Sequence, residues 1–146
     1  MIWITTDTHF GHRNMEQYCG RPKDFENRIS KGLFNACKFG DILIHLGDVC
    51  IGKDEYWHNS CIIPLNCKKW LIRGNHDKKS NIWYLTHGWD FVGEEFMLRY
   101  GKKNILFSHE PLPKRDGIDI NILGHIHNHL ERLLKKGIQN NSQFSE

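Results

Sequence analysis

Short runs of apolar, β-branched residues alternate along this chain with stretches whose apolar positions recur every four residues, a pattern that predicts an α/β arrangement. Residues 2–6, 42–46, 69–73, 105–108 and 118–123 read as strands. Between the first two, Phe25, Ile29, Leu33 and Cys37 mark one face of a helix, with Asp24 placed to cap its start and Gly40 standing where it would stop. A second helix is expected from near Asp54 to just before Pro64, and a third over residues 81–87, capped by Ser80 and ended by Gly88. Residues 96–100 and 105–108 flank Gly101-Lys102-Lys103-Asn104, a polar turn that predicts an antiparallel hairpin. Helical crossovers early in the chain thus give way to a hairpin later. No internal repeat, low-complexity tract or linker interrupts the pattern.

A chain of 146 residues with 39% hydrophobic positions can fill one core, which sets the expectation of a single domain over residues 1–146. Its longest unbroken apolar runs, such as residues 42–44, fall far below the roughly 18 residues that span a bilayer, so neither a membrane helix nor a membrane partner is expected. The start, Met1-Ile2-Trp3-Ile4, is strand-like and lacks the basic, apolar and small-residue regions of a secretion signal, which makes the cytoplasm the expected location. The net charge is only +3, and basic pairs such as Lys68-Lys69 and Lys102-Lys103 are scattered, which suits a solvated surface better than a nucleic-acid face. Five cysteines without a C-x-x-C pair fit neither a disulfide framework nor a structural zinc site. The histidines change the picture more, because they gather with acidic residues and Asn at particular places.

Each predicted strand runs into polar, ligand-type residues: Thr6-Asp7-Thr8-His9, Gly47-Asp48, Gly74-Asn75-His76-Asp77, Ser108-His109-Glu110 and Gly124-His125-Ile126-His127. Loops at the carboxyl ends of strands in open α/β sheets form the ligand crevice, so five such ends can meet although they are spread over most of the chain. Any one of these fragments is common by chance; five in this order are not. Their nitrogen and oxygen donors suit two divalent cations. Two dications about 4 Å apart repel by roughly 15 kcal/mol at an effective dielectric of about 20, so an anion must lie between them. Asp48, on the second strand end, is the candidate bridge. Asp7, His9 and His127 would then complete one set of ligands, and Asn75, His109 and His125 the other. A single residue separates Asp7 from His9 and His125 from His127, which sends both side chains of each pair the same way if the backbone is extended.

The ordered elements D-x-H, G-D, G-N-H-D/E, H and G-H-x-H resemble the signature of the calcineurin-like metallophosphoesterases. The opening Asp7-Thr8-His9-Phe10-Gly11-His12 is similar to a compact bacterial and phage branch of that family. The resemblance runs from Ile2 to His127 and implies a two-sheet β-sandwich flanked by helices, the αββα metallophosphoesterase fold, in a small version with a short C-terminal end. Family members usually continue with strand structure past the G-H-x-H loop, whereas here only residues 129–146 follow, with a weakly patterned stretch over 139–146. The same seven metal ligands are implied, together with an enzyme: a binuclear metal-dependent phosphoesterase in which a metal-bridging hydroxide attacks a phosphodiester or a phosphomonoester. Two metals bring the pKa of the bridging water from about 15.7 towards about 7. The diester is favoured by family analogy, and the mixed donor set admits Mn, Fe, Zn or Ni.

In this reading His76, next to Asn75 and not itself needed as a ligand, protonates the leaving oxygen or hydrogen-bonds to the phosphoryl group. Asp77 either orients that imidazole or caps the turn. His12, Arg13 and Asn75 are the candidate substrate contacts, and Asn14, Tyr18 and Arg21 lie in the same stretch, open to a phosphate or a base. His45 reads as a core residue or a support behind the ligands, His58, His87 and His129 as surface, Arg73 as a surface charge, and the tryptophans as packing. Glu110 is open to two readings, an imidazole partner or an exposed acid. The partner is a phosphoester, with nucleotide and nucleic acid both admitted. Two rivals stand beside the enzyme: a metal-stabilised binding scaffold without turnover, and a nuclease or nucleic-acid binder using the scattered basic pairs.

Overall fold

In the computed structural model, which describes residues 1–127, strands β1 (Ile2–Thr5), β2 (Ile42–His45), β3 (Lys68–Ile72) and β4 (Phe91–Gly93) pair in that order as a parallel sheet. A second sheet holds β5 (Glu95–Tyr100), β6 (Lys103–Ser108) and β7 (Ile120–Leu123), antiparallel between β5 and β6 and parallel between β6 and β7. Strand alternation sorts the side chains of β2 and β3 between two cores. Leu43 and Leu71 join Phe10, Leu33, Ile62 and Trp89 on the helical side, while Ile44 and Ile72 join Leu46 and Phe107 between the sheets. Burial on both faces explains why residues 42–46 read as a nearly unbroken apolar run. Phe96 stacks on its cross-strand partner Phe107 at 4.7 Å and meets Trp70 and Phe91 of the other sheet edge-on at 5.4 and 6.0 Å, so an aromatic cluster joins the two sheets. The result is the two-sheet, helix-flanked arrangement expected from the resemblance. His129 and the short C-terminal end lie outside the described residues.

Four helices connect these strands: α1 (Met15–Cys19), α2 (Phe25–Ala36), α3 (Asp54–Trp57), which continues into a π-helical turn (His58–Ile62), and α4 (Asn81–Thr86). In α2 the four-residue spacing buries Phe25 and Leu33 as predicted, but Asp24 does not cap the helix with its side chain. Both its oxygens instead accept from Arg28 Nε at 2.9 Å. The helix gives way to extended backbone at Cys37, before Gly40, whose φ of 86° serves the following turn. Ser80 Oγ does accept the Trp83 N–H, at 3.2 Å. Helix α1 and strand β4 were not predicted; five and three residues are too few to show a period. Tyr100 pairs with Lys103, so the hairpin turns on Gly101-Lys102 alone. Strand β7 starts at Ile120, not at residue 118, because the Ile118 and Asp119 amides are committed to the Arg115 and Asn104 carbonyls. Among the described residues no helix is long and apolar enough to cross a membrane.

Candidate metal centre

Past the end of β1 the chain stays zipped to the loop after β2: Asp7, His9 and Phe10 donate their N–H groups to the carbonyls of Gly47, Asp48 and Val49 at 2.9–3.0 Å. The backbone here is not extended. Asp7, His9, Asp48, His125 and His127 all adopt positive φ, between 49° and 68°, so each closely spaced pair converges through left-handed loop residues, not through a pleat. Such conformations cost about 1–3 kcal/mol each in non-glycine residues and persist only where the surroundings impose them.

Those surroundings are explicit. Arg21 donates from Nη1 to the Thr8 carbonyl at 2.9 Å and from Nη2 to the Asp7 carbonyl at 2.6 Å. His45 is fully buried, and its Nδ1 accepts the Gly47 N–H at 3.1 Å. Its proton is therefore on Nε2, which donates to Thr8 Oγ1 at 3.0 Å, and Thr8 in turn donates to the Val49 carbonyl at 2.7 Å. Burial pushes the His45 pKa down to about 3, in keeping with a neutral ring. Asp77 is equally buried. Its Oδ2 accepts the N–H groups of Asp48 and Gly74, both at 2.8 Å, and its Oδ1 accepts that of Val49 at 3.1 Å. Burial raises its pKa, and the three backbone bonds oppose that rise. A Cβ on Gly74 would overlap Asp48 Oδ1, so the close approach of these two loops requires glycine there.

On this frame two groups of donor atoms meet, Asp7 with His9 and His127, and Asp48 with His109 and His125. In the first, Asp7 Oδ1 lies 3.5 Å from His9 Nε2 and 3.4 Å from His127 Nε2, with the two nitrogens 3.2 Å apart. In the second, Asn75 Oδ1, His109 Nε2 and His125 Nδ1 are 3.0–3.1 Å from one another. Asp48 Oδ2 stands between the groups, 3.6 Å from His9 Nε2 and 3.5 Å from His109 Nε2. Each carboxylate has one oxygen held and the other aimed inward. Asp7 Oδ2 accepts from Thr6 Oγ1 at 2.6 Å and from the His125 N–H at 2.9 Å, while Asp48 Oδ1 accepts the His76 N–H at 2.8 Å. Asp7 Oδ1 is buried without a hydrogen-bond partner among the described residues.

The donor chemistry tests what could occupy these places. His109 Nδ1 donates to the Leu46 carbonyl at 2.6 Å, so its Nε2 presents a lone pair to Asn75 Oδ1 and Asp48 Oδ2, which are themselves acceptors. A cluster of facing lone pairs is satisfied by a cation. Bonds of about 2.0–2.2 Å to one cation place neighbouring ligands about 2.8–3.6 Å apart at octahedral to tetrahedral angles, and the separations of 3.0–3.5 Å in the two groups fall inside that range. The residues therefore fit a pair of divalent cations. Burial alone would raise the Asp7 pKa, but contacts from His9, Thr6 and the His125 N–H hold it well below the usual carboxylate range. Burial and neighbouring imidazoles lower those of His125 and His127.

His76 stands at the rim, exposed, with Nε2 3.9 Å from Asp48 Oδ2 and its ring 5.6 Å from that of His9. His12 is 6.3 Å away and shares with it a cleft of about 580 Å³, lined also by Tyr18, Cys19, His9 and His127. Arg13 is exposed and is not among the residues lining that cleft. Asp77 does not serve the His76 imidazole as expected; among the described residues its oxygens go to backbone N–H groups, which fits the capping alternative. Arg21 holds the ligand loop instead of waiting for a phosphate. Arg73 is half-buried, donating to the Asp77 carbonyl and to Glu94, and Glu110 is exposed. His58, expected on the surface, is fully buried, with Nδ1 donating to the Asp54 carbonyl at 2.8 Å and its ring packed on Trp83, Tyr84 and Trp89. His87 is half-buried, stacked on Trp83 at 3.8 Å. A smaller cleft of about 270 Å³ opens beside the second group, lined by Arg73, Asn75, Glu94, Ser108 and Glu110.

Residues 1–129 match the calcineurin-like phosphoesterase (Metallophos) family. An uncharacterised protein of Methanocaldococcus jannaschii is 31% identical over 102 residues, a match covering 66% of this chain and 56% of that protein. The crystal structure of a protein of unknown function from Aquifex aeolicus is similar with a TM-score of 0.65 and 32% identity, over 76% of this chain and 61% of the other. The chain thus spans less than two thirds of the length of either relative.

Proposed function

Because the chain belongs to the calcineurin-like phosphoesterase family, we propose that it hydrolyses phosphoesters, diesters ahead of monoesters, at two divalent cations held by Asp7, His9, Asp48, Asn75, His109, His125 and His127. One observation carries the reading: Asp48 Oδ2 lies within 3.6 Å of a histidine nitrogen from each group, the position of a shared anionic ligand. When bound, such a pair supplies Lewis acidity toward phosphoryl oxygens and lowers the pKa of water to near neutrality. Mn, Fe, Zn and Ni all suit the nitrogen and oxygen donors.

The chain's own residues supply the rest. His76, exposed beside Asp48, donates a proton to the leaving oxygen or a hydrogen bond to the phosphoryl group. Burial and the neighbouring His9 and His76 lower the pKa of His12, which favours a neutral ring that contacts substrate by hydrogen bonding. Asn75 presents its Oδ1 to the second group and borders the smaller cleft. Clefts on both flanks, one beside each ligand group, support a phosphorus carrying two organic substituents. A cytoplasmic place of action belongs to the same reading and is supported by five cysteines that form no disulfide among the described residues.

The test is a Mn-loaded assay of an aryl phosphodiester, an aryl phosphomonoester, cyclic nucleotides and single-stranded DNA, on wild type and His76→Ala. Diester turnover should exceed monoester turnover, and His76→Ala should keep two metals while losing about 10²-fold or more in rate. Wild-type protein that holds two metals and cleaves none of these esters would support the non-catalytic scaffold instead.

A further inference from the structure

Cys19 ends α1, more than one hundred positions before His127, yet its Sγ lies 3.5 Å from His127 Nδ1. The placement follows from local structure. Met15 is buried and anchors the short helix, Gly20 closes it with a left-handed φ of 64°, and Arg21 ties the next residue to the carbonyls of Asp7 and Thr8. The end of α1 is thereby fastened to the loop that carries two ligands of the first group.

The other nitrogen of the same ring faces the centre. His127 Nε2 lies 3.4 Å from Asp7 Oδ1, an oxygen that is buried and unpartnered among the described residues, and 3.2 Å from His9 Nε2. To offer a lone pair there, the ring must carry its proton on Nδ1, where the sulfur can accept it. We propose that Cys19 is a positioning residue for His127: its sulfur accepts the Nδ1–H, fixes the tautomer and ring direction, and so sets the affinity of the Asp7, His9 and His127 group for a divalent cation. The inference rests on the metal-binding half of the reading above and not on phosphoester hydrolysis. Sulfur is a weak acceptor, whereas the corresponding nitrogen of His109 donates to a backbone carbonyl at 2.6 Å. The first group is accordingly the weaker of the two, and the one that chemical change at Cys19 alters.

The experiment is a calorimetric titration of the metal-free full chain with Mn²⁺, reading two binding steps. Cys19→Ala should weaken the weaker step about 10-fold or more and leave the tighter one in place, because supports behind metal ligands act on that scale. Cys19→Ser, which keeps an acceptor, should recover part of the loss, and His127→Ala should abolish that same step, which assigns it. The thermal midpoint of the metal-free Cys19→Ala protein should match wild type. Two steps unmoved within about twofold, two steps weakened alike, Cys19→Ser no better than Cys19→Ala, or a wild type that binds one cation would each overturn the proposal. Two normal steps without ester hydrolysis would refute the phosphoesterase and leave the role of Cys19 intact.

Discussion

The two ligand groups share Asp48 and are supported by different means. In the group of Asn75, His109 and His125, one imidazole is turned by the Leu46 carbonyl, and the loops carrying Asp48 and Asn75 are pinned by three N–H bonds to the buried Asp77 carboxylate. In the group of Asp7, His9 and His127, the His9 Nδ1 is buried without a partner among the described residues and the His127 Nδ1 meets a sulfur. The loop below is held by neutral His45 and Thr8 and by Arg21. All three ligands of this group have positive φ, whereas in the other only Asp48 and His125 do. A carbonyl and a buried carboxylate are strong, fixed acceptors, and a thiol is a weak one. Similar donor atoms therefore do not make equivalent sites: preorganisation is concentrated in the second group, and backbone strain in the first.

The severest change removes the ligand that the two groups share. Asp48→Asn should lower the bound metal from two per chain to one or none and reduce ester hydrolysis by at least about 10³-fold, as read by elemental analysis and by rate. If both metals stay bound with full affinity, Asp48 is not the shared ligand and the two groups are independent. A smaller effect sharpens the contrast between holding and reacting. In Asp77→Asn an amide NH₂ must face one of three buried N–H groups, which should lower stability by about 2–3 kcal/mol and weaken the second group's step before the first's. Denaturant unfolding of the metal-free chain checks this, and a midpoint equal to wild type would show that Asp77 does not hold these loops.

Much of this arrangement was legible in the letters, because β1, β2, β3, β6 and β7 each run from an apolar stretch into Asp, Asn or His, and ends of parallel strands lie on one rim. Features that depend on packing between distant segments were not. Asp77 follows His76 in sequence and so reads as its helper, but the turn directs the carboxylate back beneath Gly74, into the loop after β2. His58 looks like an exposed helical residue until the π-helical turn and the Trp83 and Trp89 rings enclose it. The left-handed φ values at ligands leave only a faint mark in the sequence, because Asp and His enter that region more readily than most non-glycine residues but still seldom. The tie between Cys19 and His127 depends on α1, an element too short to show any period.

The mildest test reaches the first group from behind. His45 is neutral and buried in the folded chain, with its pKa lowered to about 3 from the ordinary 6.5, so between these values the unfolded chain binds a proton that the native ring refuses. Stability from this residue is full above about pH 6.5 and is lost as pH falls toward 3, at about 1.4 kcal/mol per pH unit. His45→Leu should flatten that slope by one proton in unfolding titrations of the metal-free chain. At pH 7 it should cost about 1–2 kcal/mol, because the Gly47 N–H loses its acceptor and Thr8 its donor. Thr8 Oγ1 keeps its bond to the Val49 carbonyl but loses the His45 N–H, so the loop between Asp7 and His9 is held less firmly and the first group's cation should loosen while the second's holds. An unchanged slope would mean that the ring takes up its proton without unfolding the chain, and the rigid link from His45 through Thr8 to the left-handed ligands would then be wrong.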